Sequence, residues 1–249
     1  MTLQHEIRAI HLRPATELAE RVLLPGDPHR ALAVAQDLLE APKMFNHTRG
    51  LWGYTGVAAD GEPLTVQSTG MGGPSAAIVT EELIALGARR LVRIGTCGAL
   101  ADGLALGDLV AARKVVPADG ASTALGADGD LGSDPGLLER LVAAGAQPAT
   151  VVTSDLFYDP RDGTADGWRE LGASVVEMEA ATILQVAARR GVTAACVLAV
   201  SDVPSPGGAQ RADADQLERF GLAVGAAGYA AVEFDPGALG PAERLRTTR

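Results

Sequence analysis

Short apolar runs rich in Val, Ile and Leu alternate along the chain with segments of helical periodicity, and this alternation leaves few architectures open. RVLL (21–24) reads as a strand, Pro28 to about Leu39 as a helix, and Trp52 to Ser68 as a hairpin turning at Asp60-Gly61. Pro74 to Leu86 follows as a helix, LVRIG (91–95) and DLVAARKVV (108–116) as strands, Pro135 to Ala144 as a helix and TVVTS (150–154) as a strand. SVVEM (174–178) is a strand, Ala180 to Arg190 a helix, ACVLAVS (195–201) a strand, and about Arg211 to Val232 a closing helix. The pattern predicts an α/β fold with a mostly buried, mixed sheet between helices, and such sheets gather ligands where strands end. Residues 117–134, rich in Gly, Ala and Asp, read as a surface loop. No Pro/Ser-rich linker divides the 249 residues, so 1–249 is expected to be one domain.

Composition narrows the function classes. Apolar residues make up 47% of the chain, yet no stretch approaches the ~20 uninterrupted apolar residues of a membrane span. MTLQHEIRAIHLRP carries charges where a signal peptide places an apolar core, so a cytoplasmic location is the expectation. Acidic residues outnumber basic ones by 31 to 21, with no basic patch interleaved with aromatics, which argues against a nucleic-acid polymer as partner. A net charge of −10 means that a small anion must be held by a few local arginines. Cys97 and Cys196 match no disulfide framework or zinc spacing and read as small buried thiols, and no metal is expected.

Arg93 is the first of those arginines. It lies inside LVRIGT (91–96), an apolar run, and a guanidinium buried there needs something negative to meet it, which makes it the first clue to an anionic ligand. LLPGDPHR (23–30) places Asp27 as a helix N-cap, Pro28 at the first helical position and Arg30 in the first turn, where a cation opposes the helix dipole unless an anion joins it. A solvated surface arginine is the plain alternative there. STGMGGPSAA (68–77) follows a strand and opens a helix at Pro74, so its N–H groups could cradle an anion, although turns of this kind are often only tight turns.

VVEMEAA (175–181) carries Glu177 and Glu179 two residues apart. On a helix they would diverge by about 200°, whereas at a strand's end they face the same way and suit the hydroxyls of a sugar. Glu179 could instead cap the helix starting near Ala180. AVSDVPSPGG (199–208) ends a strand on Ser201-Asp202 and enters a Pro- and Gly-rich loop, placing Asp202 at the carboxyl edge of the sheet or in a turn role. The histidines, His5, His11, His29 and His47, form no triad or zinc pattern.

Together GDPHR (26–30), TRGLWGYTG (48–56), STGMGGPSAA, RIGTCG (93–98), SDLFYDP (154–160), VVEMEAA and SDVP (201–204) resemble the nucleoside phosphorylases of the bacterial, hexameric type, in order from about His11 to Asp202. The resemblance implies a three-layer αβα sandwich around a mixed sheet. It implies cleavage of nucleosides with phosphate to free base and sugar 1-phosphate, without a cofactor, inorganic phosphate being a co-substrate. It also implies a homohexamer built from dimers with shared sites.

Residue by residue, it assigns phosphate contacts to Gly26, Arg30, Arg93 and Thr96, with Arg49 reaching in from a neighbouring subunit. Thr96 stands where relatives often have Ser and keeps the hydroxyl. Met178 and Glu179 would hold the ribose with Glu177 beside them, Phe157 would pack on the base next to Ser201, and the neighbour's His11, or His5, would meet the 5′-hydroxyl. Asp202 resembles the residue that protonates N7 of a purine, with Arg211 as its candidate helper. Such an acid must arrive protonated, which calls for a pKa above the ordinary value of about 3.9 and a pocket that excludes water. A uridine phosphorylase fits Ser201-Asp202 poorly, and a nucleoside hydrolase of the same fold needs no phosphate arginines. A binding protein that lost turnover remains a third reading.

Overall fold

The computed structural model describes residues 8–129 and 131–234. Its strands are β1 (Arg21–Leu24), β2 (Leu39–Asn46), β3 (Gly53–Ala58), β4 (Pro63–Gln67), β5 (Arg90–Ala99), β6 (Leu109–Ala118), β7 (Gln147–Ser154), β8 (Val175–Glu177), β9 (Thr193–Ser205) and β10 (Gly208–Arg211). The helices are α1 (Pro28–Leu38), α2 (Gly73–Leu86), α3 (Gly120–Ala124), α4 (Pro135–Ala143), α5 (Thr164–Glu170), α6 (Ala180–Arg190) and α7 (Ala214–Val232). One mixed sheet runs in the order β10-β9-β6-β7-β8-β5-β1-β4-β3-β2. Since β5 also pairs with β9, the circuit β5-β9-β6-β7-β8 closes on itself, and β1 to β4 extend it as an open sheet.

Period-two alternation on the central strands builds a core on each face. On β5 and β9, Leu91, Cys97, Cys196, Leu198 and Val200 meet α2 and α6 on one face. Val92, Ile94, Ala195, Val197 and Ala199 meet α1, α4 and α7 on the other. Helix, sheet and helix thus form the expected three layers. Both cysteines are buried free thiols. Among the described residues no helix is long and apolar enough to cross a membrane.

Four segments differ from the sequence reading. LEAPKMFN (39–46) forms β2, whose ladder to β3 shifts register between Glu40 and Lys43, where Ala41 takes a positive φ of 43°. The expected loop at 117–134 contains α3, capped by Asp119, and Leu131 bridges to Val115. TADGWRE (164–170) forms the short helix α5, whose Ala165 and Trp168 pack on Leu100, Val152 and Ala173. The expected loop after Asp202 is instead a hairpin: β9 continues to Ser205 and returns as β10, so Arg211 ends a strand and the closing helix starts at Ala214.

Candidate active site

Turns that leave parallel strands converge with the middle of β5. After β1, Pro25-Gly26-Asp27 leads into α1, with Asp27 accepting the His29 N–H at 2.9 Å as the N-cap. After β4, Ser68 to Gly72 leads into α2. The two turns are zipped by Thr69 N–H to Pro25 C=O at 2.8 Å and Gly70 N–H to Gly26 C=O at 3.0 Å. A Cβ on Gly26 would stand 3.2 Å from the Gly70 oxygen, so the close approach favours glycine.

The charge at Arg93 is met by the protein itself. Its Nε donates to Glu177 Oε2 at 2.7 Å and its Nη2 lies 2.6 Å from Glu179 Oε2, while Nη1 is buried without a hydrogen-bond partner among the described residues. Burial would lower the guanidinium pKa, but the Glu179 and Glu177 carboxylates more than offset it and raise the value. The side chain lies across the strand: a Cβ at Gly95 would be 2.8 Å from Nη2. Arg30 is half-buried and forms no ion pair among the described residues. Burial lowers its pKa, Asp27 counters, and the like charge of Arg93 lowers it again. Arg93 stands in register with Leu24, the last residue of β1, so the Gly26 turn and Arg30 in the first turn of α1 follow from the strand end beside it.

Glu177 and Glu179 do converge, as expected of a strand end, but on Arg93. Glu177, expected beside a sugar, is turned inward: its oxygens accept the N–H groups of Glu179 and Ala180 at 2.9–3.0 Å, Arg93 Nε and the Thr153 hydroxyl. It therefore caps α6, while Glu179 makes no side-chain cap although it occupies the N-cap position. Glu179 accepts instead from the Gly72 N–H at 2.5 Å. Burial raises its pKa, Arg93 opposes this, and Glu177 raises it further. Met178 between them is half-buried.

Asp202 and Arg211 are a cross-strand pair of the β9–β10 hairpin, with Arg211 Nε 3.0 Å from Asp202 Oδ1. Ser201 Oγ lies 2.7 Å from Asp202 Oδ2 and 3.2 Å from the Cys97 carbonyl oxygen. The Arg211 guanidinium also stands over the Phe157 ring, 5.3 Å from its centroid, and Phe157 is 57% exposed on the loop after β7. Thr96 is half-buried on β5, opposite Ala199 of β9.

His11 and Arg49 sit on segments other than these strand ends. His11 Nδ1 is 2.6 Å from Glu82 Oε1, and Glu82 also accepts the His11 and Leu12 N–H groups. Arg49 projects from a 3-10 turn, exposed, at a left-handed φ of 60°. His5 lies outside the described residues. Sequence reasoning missed the buried pair of Arg21 and Asp60 below the other end of β1, as well as Thr153. The one available signal for Arg21 was a charge opening an apolar run.

Residues 20–234 match the phosphorylase superfamily. The chain belongs to that superfamily. It is similar to the purine nucleoside phosphorylase DeoD-type of Alkaliphilus metalliredigens, 36% identical over 83% of this chain and 92% of the relative. It is also similar to the proteins of the same name from Caldanaerobacter subterraneus, 38% identical over 80% and 90% of the two chains, and Geobacillus kaustophilus, 36% identical over 78% and 86%.

Proposed function

We propose that this protein cleaves purine nucleosides with inorganic phosphate, releasing the free base and a sugar 1-phosphate. The observation that carries the reading is the strand register that sets Arg93 of β5 opposite Leu24 at the end of β1, just before the Gly26 turn and Arg30 of α1, with Arg93 Nη1 lacking a hydrogen-bond partner among the described residues. The relatives named purine nucleoside phosphorylase support it.

In this reading phosphate sits against Gly26, Arg30, Arg93 and Thr96, with Arg49 supplied by a neighbouring subunit. Glu179 and Met178 bind the ribose, the neighbour's His11 meets the 5′-hydroxyl, and Phe157 and Ser201 flank the base. Glu177 acts from behind, holding Arg93 and the start of α6. As the bond from C1′ to N9 breaks, Asp202 passes its proton to N7 and a phosphate oxygen bonds to C1′, whose developing positive charge faces the bound anion. Ser201 Oγ, within reach of the Cys97 carbonyl and of Asp202 Oδ2, donates to the carboxylate left after transfer, and Arg211 pairs with its other oxygen. No cofactor enters this chemistry. The protein works as a cytoplasmic homohexamer of site-sharing dimers.

The test is a panel of inosine, guanosine, adenosine, methylthioadenosine and uridine, each with and without phosphate. Phosphate-dependent release of purines supports the reading, and turnover of uridine alone overturns it.

A further inference from the structure

Asn46, the last residue of β2, is fully buried, and both ends of its amide are engaged. Oδ1 accepts the Arg13 N–H at 2.9 Å and the Thr48 N–H at 3.4 Å. Nδ2 donates to the Leu51 carbonyl at 2.5 Å and the Thr48 carbonyl at 3.4 Å. One side chain therefore joins two stretches far apart in sequence: the segment carrying His11 and the turn carrying Arg49.

Each stretch is braced from a second direction. Glu82 grips His11 and Leu12, and the Ala15 N–H bonds the Phe45 carbonyl at 2.8 Å, next to Asn46. Gln67 Nε2 reaches the same Leu51 carbonyl at 3.0 Å. Arg49 and Gly50 both take positive φ, 60° and 70°, a conformation that a non-glycine residue keeps only where its surroundings over-determine it. The buried amide below supplies that constraint, and the guanidinium above projects outward with no ion pair among the described residues.

We propose that Asn46 is the positioning residue of the half-site that each subunit donates to its neighbour, setting Arg49 and His11 in register with one another. The proposal rests on the reading above, in which those two residues act in the adjacent subunit's site. Asn46→Asp keeps the shape but turns an oxygen toward the Leu51 and Thr48 carbonyls, so the turn must move. Because misplacement by about 1 Å can cost on the order of a hundredfold in rate, the KM for phosphate should rise at least about tenfold or kcat/KM fall by a comparable factor.

A subunit-mixing experiment separates positioning from a general lesion. An isologous dimer of Arg49→Ala and Arg93→Ala subunits has one intact site, so refolding equal amounts together should return about a quarter of wild-type activity. Asn46→Asp should behave like Arg49→Ala: rescued to about a quarter by Arg93→Ala, and not rescued by Arg49→Ala. The reverse pattern, or an unchanged KM and kcat/KM, overturns the proposal. Failure of Arg49→Ala and Arg93→Ala to complement each other, with mixed oligomers seen by mass, removes the donated-site reading itself. If Asn46→Asp does not assemble, Asn46→Ser is put through the same mixtures; rescue by Arg49→Ala, or failure of this variant too to assemble with either partner, counts against a positioning role.

Discussion

Asp202 and Arg211 face each other across the β9–β10 hairpin, carboxylate to guanidinium at 3.0 Å, in direct cross-strand register. The turn between them holds only Pro206 and Gly207, flanked by Ser205 and Gly208. The carboxylate and its partner are thus set by strand pairing, and Arg211 is further held over Phe157.

Asp202→Ala is expected to lower kcat on inosine by roughly 10²–10⁴, the usual worth of a general acid, with phosphate affinity nearly unchanged. Steady-state kinetics over both substrates checks this. A fall of less than about threefold would take the acid role from Asp202.

Gly221 on α7 is where Arg30 rests. A Cβ there would stand 3.2–3.4 Å from the Cγ, Nε and Cδ atoms of Arg30. Alanine is the better helix former by about 1 kcal/mol, so Gly221→Ala should keep or raise Tm while displacing the guanidinium and raising the KM for phosphate by about tenfold. Melting curves and phosphate titrations of one preparation decide it, and an unchanged phosphate KM would show that Arg30 does not touch the anion.

Asp60 links stability to pH. Burial pushes its carboxyl up, but Arg21 and the N–H groups of Phe234 and Glu62 outweigh this and hold it at about 2, below the ordinary 3.8. A depressed folded value stabilises above about pH 4 and is lost as pH falls toward 2, a difference of about 2 kcal/mol. Asp60→Asn strands the buried Arg21 and should cost about 3–5 kcal/mol at pH 7. The gap between wild type and variant in urea unfolding should narrow by about 2 kcal/mol between pH 4 and pH 2, and a constant gap would count against it.

Much of the fold was legible because its central strands are apolar runs that need no partner to be recognised. β2 and β10 were not legible: LEAPKMFN contains a proline and charges, GAQR is wholly exposed, and each is extended only because a neighbouring strand pairs with it. Arg93 signalled a buried charge correctly, yet whether its anion came from ligand or protein depended on Glu177 and Glu179, 84 and 86 residues away, folding onto it. The inward turn of Glu177 follows from the free N–H groups at the start of α6 and from Thr153, neither visible in local spacing. Asn46 left no mark in the pattern at all, since its partners lie on two segments, one of them more than thirty residues away.

Phosphate as nucleophile is tested most directly by following inosine with 31P NMR in the presence of the protein and inorganic phosphate. A sugar 1-phosphate resonance should grow in step with free hypoxanthine, and hypoxanthine release should stop when phosphate is omitted. Hypoxanthine appearing at the same rate without phosphate, with free ribose and no organic phosphate signal, would contradict phosphorolysis and make the protein a hydrolase.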